Sequence, residues 1–472
     1  MTDAWEKEKA EVHDALLALT ARWAADRGVS FDEGAELRRR AAVLNHRHYR
    51  ENIGVYRSLC ERAGLGDEDP AISFIAENLM VTDDVFKSYP QRLVDEADYA
   101  GMNAWLSGLC DRKVEFDASG IEDVDQWLSA LAARGVTVVF SSGTSGMVSF
   151  VPRDGRTWEA FTRLPALYMP ALLADRGLFP AWQAALLSLA LKKLPPRRYL
   201  ALTHRLGLPG IDGFFCNFAS GLQGIQIAGQ QVAARLKKAE FLYPAALSAT
   251  AVRAVVRGPR NAAEAALAET FLSETVRKKE EHYLRLLRSL AESAARGRRC
   301  LVFGAPYLLL ELCERAKAHK LSIRLPKGSA AILGGGWKSF EGKRLSEDEL
   351  YALIRETFDL PPSAVVEGYS MTEIQAVMLK CPAGRYHVPP FLETVILSES
   401  LSPVEGSDVT GVLSVLDPFA ESYPGFLITG DTVRRVTGPC PCGRSGPAIL
   451  TIARTPGREV KGCGGIMAKM NA

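Results

Sequence analysis

The 472-residue chain lacks an apolar run long enough to cross a bilayer. Its most apolar stretch, Phe179 to Leu191, carries Gln183 and Ser188 and falls short of the roughly 20 residues a span requires. It also lacks a dominant charge: 57 Lys and Arg stand against 55 Asp and Glu. That balance excludes a field strong enough to predict nucleic-acid or anionic-membrane binding, although it leaves room for a local patch. Low-complexity tracts are missing too. With 47% apolar and 24% charged residues, the composition excludes a disordered or collagenous chain. The start, Met1-Thr2-Asp3-Ala4-Trp5-Glu6-Lys7-Glu8, is not basic and then apolar as a secretory leader is, so a cytoplasmic protein is expected. Nine cysteines without such a leader favour thiols, metal ligands or a nucleophile over a disulfide framework.

Residues 1–130 read as a helical region, with Leu16, Leu17, Leu19 and Trp23 at helical spacing among charges. From Val136 onward, short β-branched runs each end in a Gly/Ser cluster, the texture of strands that deliver loops to one sheet edge. Four such runs occur, ending at Ser141–Gly146, Gly304–Pro306, Gly334–Lys338 and Glu367–Glu373. Tyr307 to His319 has a helical period between the second and third, which predicts a βαβ unit and a parallel or mixed sheet. An α/β core over 131–453 is therefore expected. Residues 155–298 read as a largely helical insert, and about 381–453 as a small β-rich part, with 454–472 left as a short tail.

Ser141, Ser142, Gly143, Thr144, Ser145 and Gly146 set hydroxyls and glycines directly after a strand, the composition of a phosphate cradle or of an ordinary Ser/Gly turn. No Gly-Lys-Ser/Thr ending follows, so it is not a Walker loop. Neither Ser145 nor Ser370 sits in a Gly-x-Ser-x-Gly elbow, which counts against a serine hydrolase.

Two further fragments follow in order: Glu367-Gly368-Tyr369-Ser370-Met371-Thr372-Glu373, then Thr429-Gly430-Asp431. The three together resemble the phosphate, adenine/magnesium and ribose motifs of the adenylate-forming enzymes. Phe86-Lys87-Ser88-Tyr89-Pro90, Gly334-Gly335-Gly336-Trp337-Lys338 and Tyr386-His387-Val388-Pro389-Pro390 narrow the likeness to the phenylacetate-CoA ligase-like branch and its acyl-protein synthetases of the LuxE type. The resemblance implies ATP and Mg²⁺, with Ser142, Thr144 and Ser145 on the phosphates and Tyr369 on adenine. Thr372 and Glu373 would bind nucleotide and metal, and Asp431 the ribose hydroxyls. A loop lysine found in many of these enzymes is missing, since Met147-Val148-Ser149-Phe150 stands there. Lys338, after three glycines at a strand end, could meet a carboxylate or phosphate.

Cys381 and His387, followed by Cys440-Pro441-Cys442, supply the donor count of a closed, structural zinc site. The alternative is a buried thiol and a hydrogen-bonded histidine. Near the end, Cys463 lies among glycines with Lys461 close by, a setting that confers reach and favours a thiolate. The resemblance makes Cys463 the acyl acceptor, and the large C-terminal domain of many adenylate-forming enzymes is expected to be absent. The expected activity is conversion of a carboxylic acid, in first place a fatty acid, to acyl-AMP, with transfer to a thiol for a partner such as an acyl reductase. A CoA ligase and a non-catalytic nucleotide-binding scaffold remain the alternatives. Cys60, Cys110, Cys216, Cys300 and Cys313 read as core thiols, and His46 and His48 as solvated residues of a helix surface.

Overall fold

Runs of β-branched residues broken by glycine form strands throughout the described residues, which are 3–66, 68–142, 147–337 and 343–456 of this computed structural model. In chain order the strands are β1 Val81–Thr82, β2 Thr137–Ser142, β3 Val148–Arg153, β4 Ile211–Ser220, β5 Lys238–Ala246, β6 Arg299–Gly304 and β7 Ala330–Gly334. There follow β8 Val365–Tyr369, β9 Met378–Leu379, β10 Tyr386–His387, β11 Glu393–Leu397, β12 Asp408–Leu416, β13 Phe426–Thr437 and β14 Pro447–Arg454.

The first large sheet has the order β5-β4-β6-β7-β8-β9. Its pairings from β5 through β8 are parallel, and β9 closes the edge antiparallel. The βαβ expectation holds: Pro306–Ala318 crosses from β6 to β7, entered by Pro306 at a position where the missing N–H costs nothing. Glu347–Phe358 makes the next crossover, started by a Ser346/Glu349 capping box. All three runs ending near 304, 334 and 369 therefore reach the same carboxyl edge. The fourth does not join them, because β2 pairs with β3 in a separate antiparallel hairpin.

Residues 155–298 are largely helical as expected, with Gly155–Ala174, Ala181–Lys193, Pro196–Leu206, Gly224–Ala233, Ala249–Arg257, Ala262–Leu272 and Lys279–Ala295, but they do more than flank the sheet, because β4 and β5 supply one edge of it. The Phe214-Phe215-Cys216 run is buried on both sheet faces, and such a continuous run has no period-two signature to mark it as a strand.

The second sheet, β10-β14-β13-β12-β11, is antiparallel, with β1 added in parallel to β13. The helices Asp3–Ala25 and Ala35–Asn52 lie over its 417–425 loop. Asn45 Nδ2 donates to the Pro418 carbonyl at 3.0 Å, the Gly425 N–H donates to the Tyr49 hydroxyl at 3.1 Å, and Lys9 pairs with Glu421 at 2.7 Å. His46 and His48 are consequently buried and not solvated. His46 Nδ1 lies 2.9 Å from the Tyr56 hydroxyl, and burial lowers its pKa to about 4. The five predicted core thiols are all buried, and burial pushes Cys110, Cys300 and Cys313 up to about 12. No helix among the described residues is long and apolar enough to cross a membrane.

Candidate active site and metal centre

The carboxyl end of β8 presents Tyr369 to the middle of β13. The Tyr369 hydroxyl donates to Asp431 Oδ2 at 2.9 Å, and Arg454 Nη1 donates to Asp431 Oδ1 at 3.1 Å. Arg454 is there because β14 pairs with β13 in a register that sets Asp431 opposite Arg454. Gly430 lets them pack closely, since a Cβ there would lie 2.5 Å from the Arg454 guanidinium and push it aside. Two residues 62 positions apart are thus fixed as one unit. Burial, then the neighbouring Asp431 carboxylate, raises the Tyr369 pKa well above its ordinary value, so the hydroxyl keeps its proton.

Thr372 and Glu373 follow in a buried turn. Their backbone is held by Arg153, a residue that no sequence signal singled out. Fully buried at the end of β3, its guanidinium donates to the Thr372 carbonyl and stacks on Phe161 at 4.0 Å. Tyr423 adds a hydroxyl to the Glu373 carbonyl at 2.8 Å, and Asp417 accepts from the Gln375 N–H at 2.6 Å and the Phe419 N–H at 3.0 Å. Burial raises the Asp417 pKa to about 6 even though these N–H groups favour its charged form. The loop that holds Asp417 and Tyr423 is the one the N-terminal helices cover, which connects those helices to the site. Ser141 is buried at the end of β2. Gly143, Thr144, Ser145, Gly146, Lys338 and Cys463 lie outside the described residues, as does the side chain of Ser142.

An apolar cavity of about 280 Å³ opens from this turn. One end is formed by Gly334, Gly335, Gly368, Ser370, Met371 and Thr372; the other by Ile211, Arg235, Cys300 and Ala330. It runs beneath the Gly155–Ala174 helix, which contributes Phe161, Pro165, Met169, Pro170 and Leu173. Strand β4 contributes Ile211 and Phe218, and at about 3.3 Å per residue their separation gives the cavity a length on the order of 20 Å.

Cys381, His387, Cys440 and Cys442 come together, their donor atoms all within 4.8 Å of one another. The Cys381 and Cys440 sulfurs are 3.8 Å apart, and His387 Nε2 lies 3.2 Å from Cys442 Sγ. A tetrahedral centre with metal–sulfur bonds of about 2.3 Å separates its sulfurs by about 3.8 Å, so the donors fit such an ion. Burial opposes ionisation of Cys442, but the hydrogen bond from His387, the Arg444 N–H and the His387 charge together outweigh it and bring the thiol down to about 6.

The sequence held a clue here that spacing alone did not use. Cys381-Pro382-Ala383-Gly384-Arg385 and Cys440-Pro441-Cys442-Gly443-Arg444 are two copies of Cys-Pro-x-Gly-Arg. They fold alike: the first Cys N–H donates to the Arg carbonyl, at 2.8 and 2.7 Å, and the Gly N–H to the Cys carbonyl, at 2.9 and 2.8 Å. Gly384 and Gly443 carry the positive φ, 75° and 91°, that each turn needs. Pairing of β10 with β14 sets the turns face to face. Arg444, buried and stacked on Trp23 at 4.8 Å, ties the second turn to Asp175 at 2.7 Å.

The model of the family described as acyl-protein synthetase, LuxE, matches residues 261–471. Those residues are similar to that family. Two curated relatives are each named long-chain-fatty-acid–luciferin-component ligase. The one from Aliivibrio fischeri is 29% identical over 175 residues, and the one from Vibrio harveyi is 29% identical over 171. These matches cover 36% and 35% of this chain, and the chain spans less than half of either relative, 45% and 44%. A 2-hydroxyisobutyryl-CoA ligase in the postadenylation state, in complex with its acyl-AMP, is 14% identical, with a TM-score of 0.51 over 90% of this chain and 68% of that one. The same ligase in its thioesterification state gives 0.50 at 14% identity, over 89% and 69%. The chain therefore shares the α/β fold of this CoA ligase. The LuxE-type match takes in β6 to β14, and with them Tyr369, Asp431 and all four metal-ligand candidates.

Proposed function

We propose that this chain activates a carboxylic acid, in first place a long-chain fatty acid, as its acyl-adenylate and passes the acyl group to a thiol. The observation that carries the reading is the long apolar cavity that ends on the 368–372 turn, beside the Tyr369–Asp431 pair. A chain in that cavity would bring its carboxylate to the turn and leave its methylenes in apolar surroundings, about 0.8 kcal/mol for each buried CH₂.

In the first step a carboxylate oxygen attacks the α-phosphorus of ATP, the α–β phosphoanhydride bond breaks, and pyrophosphate leaves. Ser141, Ser142, Gly143, Thr144, Ser145 and Gly146 are assigned to the phosphates, Gly368 and Tyr369 to adenine, Thr372 to the nucleotide and Asp431 to the ribose hydroxyls. Tyr369 and Arg454 each take one lone pair of Asp431, and further lone pairs stay open to a diol. Glu373, with Thr372, would hold Mg²⁺, which neutralises charge on the phosphates when bound. Lys338 is assigned to the carboxylate or phosphate. In the second step the Cys463 thiolate attacks the acyl carbonyl carbon and AMP leaves, after which a partner such as an acyl reductase takes the acyl group in the cytoplasm. Cys381, His387, Cys440 and Cys442 would hold Zn²⁺ in a structural role, because protein donors fill all four positions.

Carboxylate-dependent ATP–pyrophosphate exchange tests the first step, with a panel of acids of rising length. Absence of exchange with every acid in folded protein ends the reading. For the second step, intact-mass analysis should show one acyl adduct, released by hydroxylamine and lost in Cys463→Ala while exchange persists. Consumption of free CoA without an adduct would instead make the chain a CoA ligase.

A further inference from the structure

Residues 176–211 contain no Asp or Glu, yet they hold Arg176, Lys192, Lys193, Arg197, Arg198 and Arg205. In a chain whose total charge is +2, this is a strongly one-sided segment. It folds as two consecutive helices, Ala181–Lys193 and Pro196–Leu206, joined through Leu194 and Pro195. Their outer faces carry exposed apolar side chains among basic ones. Trp182 is 63% exposed, Leu186 56% and Leu189 53%, a ridge at helical spacing, and on the second helix Leu202 and Leu206 are 38% and 66% exposed. Together they make up more than half of the large exposed hydrophobic side chains among the described residues. Lys192, Lys193, Arg198 and Arg205 stand exposed around them. The opposite faces are packed: Leu191 and Tyr199 are buried, and the helices rest on Asp3–Ala25 and Gly155–Ala174.

The position of this hairpin adds a second observation. The residue before its first proline, Phe179, and the residue two beyond its end, Leu208, both line the apolar cavity. Both ends of the hairpin therefore border the space proposed for the acyl chain.

We propose that the 181–206 hairpin is an interfacial surface that docks on bilayers carrying anionic lipid, from which the apolar substrate enters the cavity. Exposed Trp and Leu beside Lys192, Lys193, Arg198 and Arg205, with Asp14 of the neighbouring helix paired to Arg197 at 3.1 Å, match the headgroup–acyl boundary in both polarity and charge. A protein partner would bury the ridge equally well, but it would not by itself call for an acid-free segment. A bilayer is also where a long-chain acid resides. The link to substrate entry rests on the acid-activation reading; the docking itself does not.

Co-sedimentation of the full chain with phosphatidylcholine vesicles, with and without phosphatidylglycerol, tests the docking without turnover. Binding is expected to the anionic vesicles only and to weaken with salt, as screened charges do. Leu186→Glu with Leu189→Glu, and separately Lys192→Glu with Lys193→Glu, should each weaken it roughly tenfold or more. All four positions are exposed or half-buried on the outer surface, so circular dichroism and exchange with a short, water-soluble acid should stay at wild-type values. Use of a long-chain acid presented in anionic vesicles should fall with binding. Failure of the wild-type chain to bind anionic vesicles, or binding that survives both double variants, overturns the proposal. So does a result in which the variants bind vesicles normally and lose only a purified acyl-accepting protein. If vesicles bind as expected but no acid supports exchange, the docking stands and the acid-activation reading falls.

Discussion

The Tyr386 hydroxyl donates to Glu367 Oε2 at 2.6 Å, which ties the residue next to His387 to the strand that carries Tyr369. The Tyr351 hydroxyl takes the other oxygen of Glu367 at 2.9 Å, and the Lys380 and Glu367 side chains pair at 3.6 Å. The candidate metal centre is thereby connected to the candidate nucleotide site through one carboxylate.

That connection predicts that the metal-ligand cluster supports both stability and catalysis. Cys440→Ser should lower bound zinc, measured by elemental analysis, and melting temperature together, because affinity for a structural metal is folding energy. Tyr386→Phe removes a single hydrogen bond to a charged acceptor and should cost about 1.5–3 kcal/mol in denaturant unfolding with metal content unchanged. Folded wild-type protein purified without chelator and found metal-free would falsify the zinc assignment.

Asp431→Asn keeps the size of the side chain and removes its charge, leaving the Tyr369 and Arg454 donors with a poorer acceptor. Loss of a charge-assisted ribose contact of about 1.5–3 kcal/mol should raise the KM for ATP in the exchange assay about tenfold to a hundredfold. Tyr369→Phe should have a smaller effect in the same direction. An unchanged KM in both variants removes Asp431 from the nucleotide site.

Ala330 lines the far end of the cavity on β7. Ala330→Leu should shorten it, lowering kcat/KM for the longest acids about tenfold while short acids keep wild-type values. Each excluded methylene forfeits about 0.8 kcal/mol. A uniform loss over all lengths would mean that the substitution disturbs the fold and that the chain does not lie there.

Asp417 gives a pH prediction. Burial holds its folded pKa near 6, above the carboxylate value of 3.8. The native state then binds a proton that the unfolded chain has released, so its contribution to stability is full below about pH 3.8 and declines until about pH 6. The stability of wild type relative to Asp417→Asn should fall by about 2–3 kcal/mol over that interval and stay level above it. A difference that is flat across pH 3.5–7 would show that Asp417 is ionised normally in the fold.

Local patterns were enough to reveal the βαβ order, the turn-ending strands, the sequence Tyr369–Thr372–Glu373 ahead of Asp431, and the four metal-ligand candidates, because chain order and residue type survive without a structure. The repeated Cys-Pro-x-Gly-Arg was equally legible, since its hydrogen bonds close within five residues. Tertiary structure alone decided what depends on contacts between distant segments. Arg153 has no sequence mark as a support for Thr372, because an arginine is usually solvated and only its burial 219 positions from its partner makes it one. The same holds for β4 and β5, whose apolar run suits helix or strand until parallel neighbours fix it, and for the buried His46 and His48. The cavity is the clearest case: helix, sheet and turn each contribute a wall, and the space between them belongs to none of their sequences.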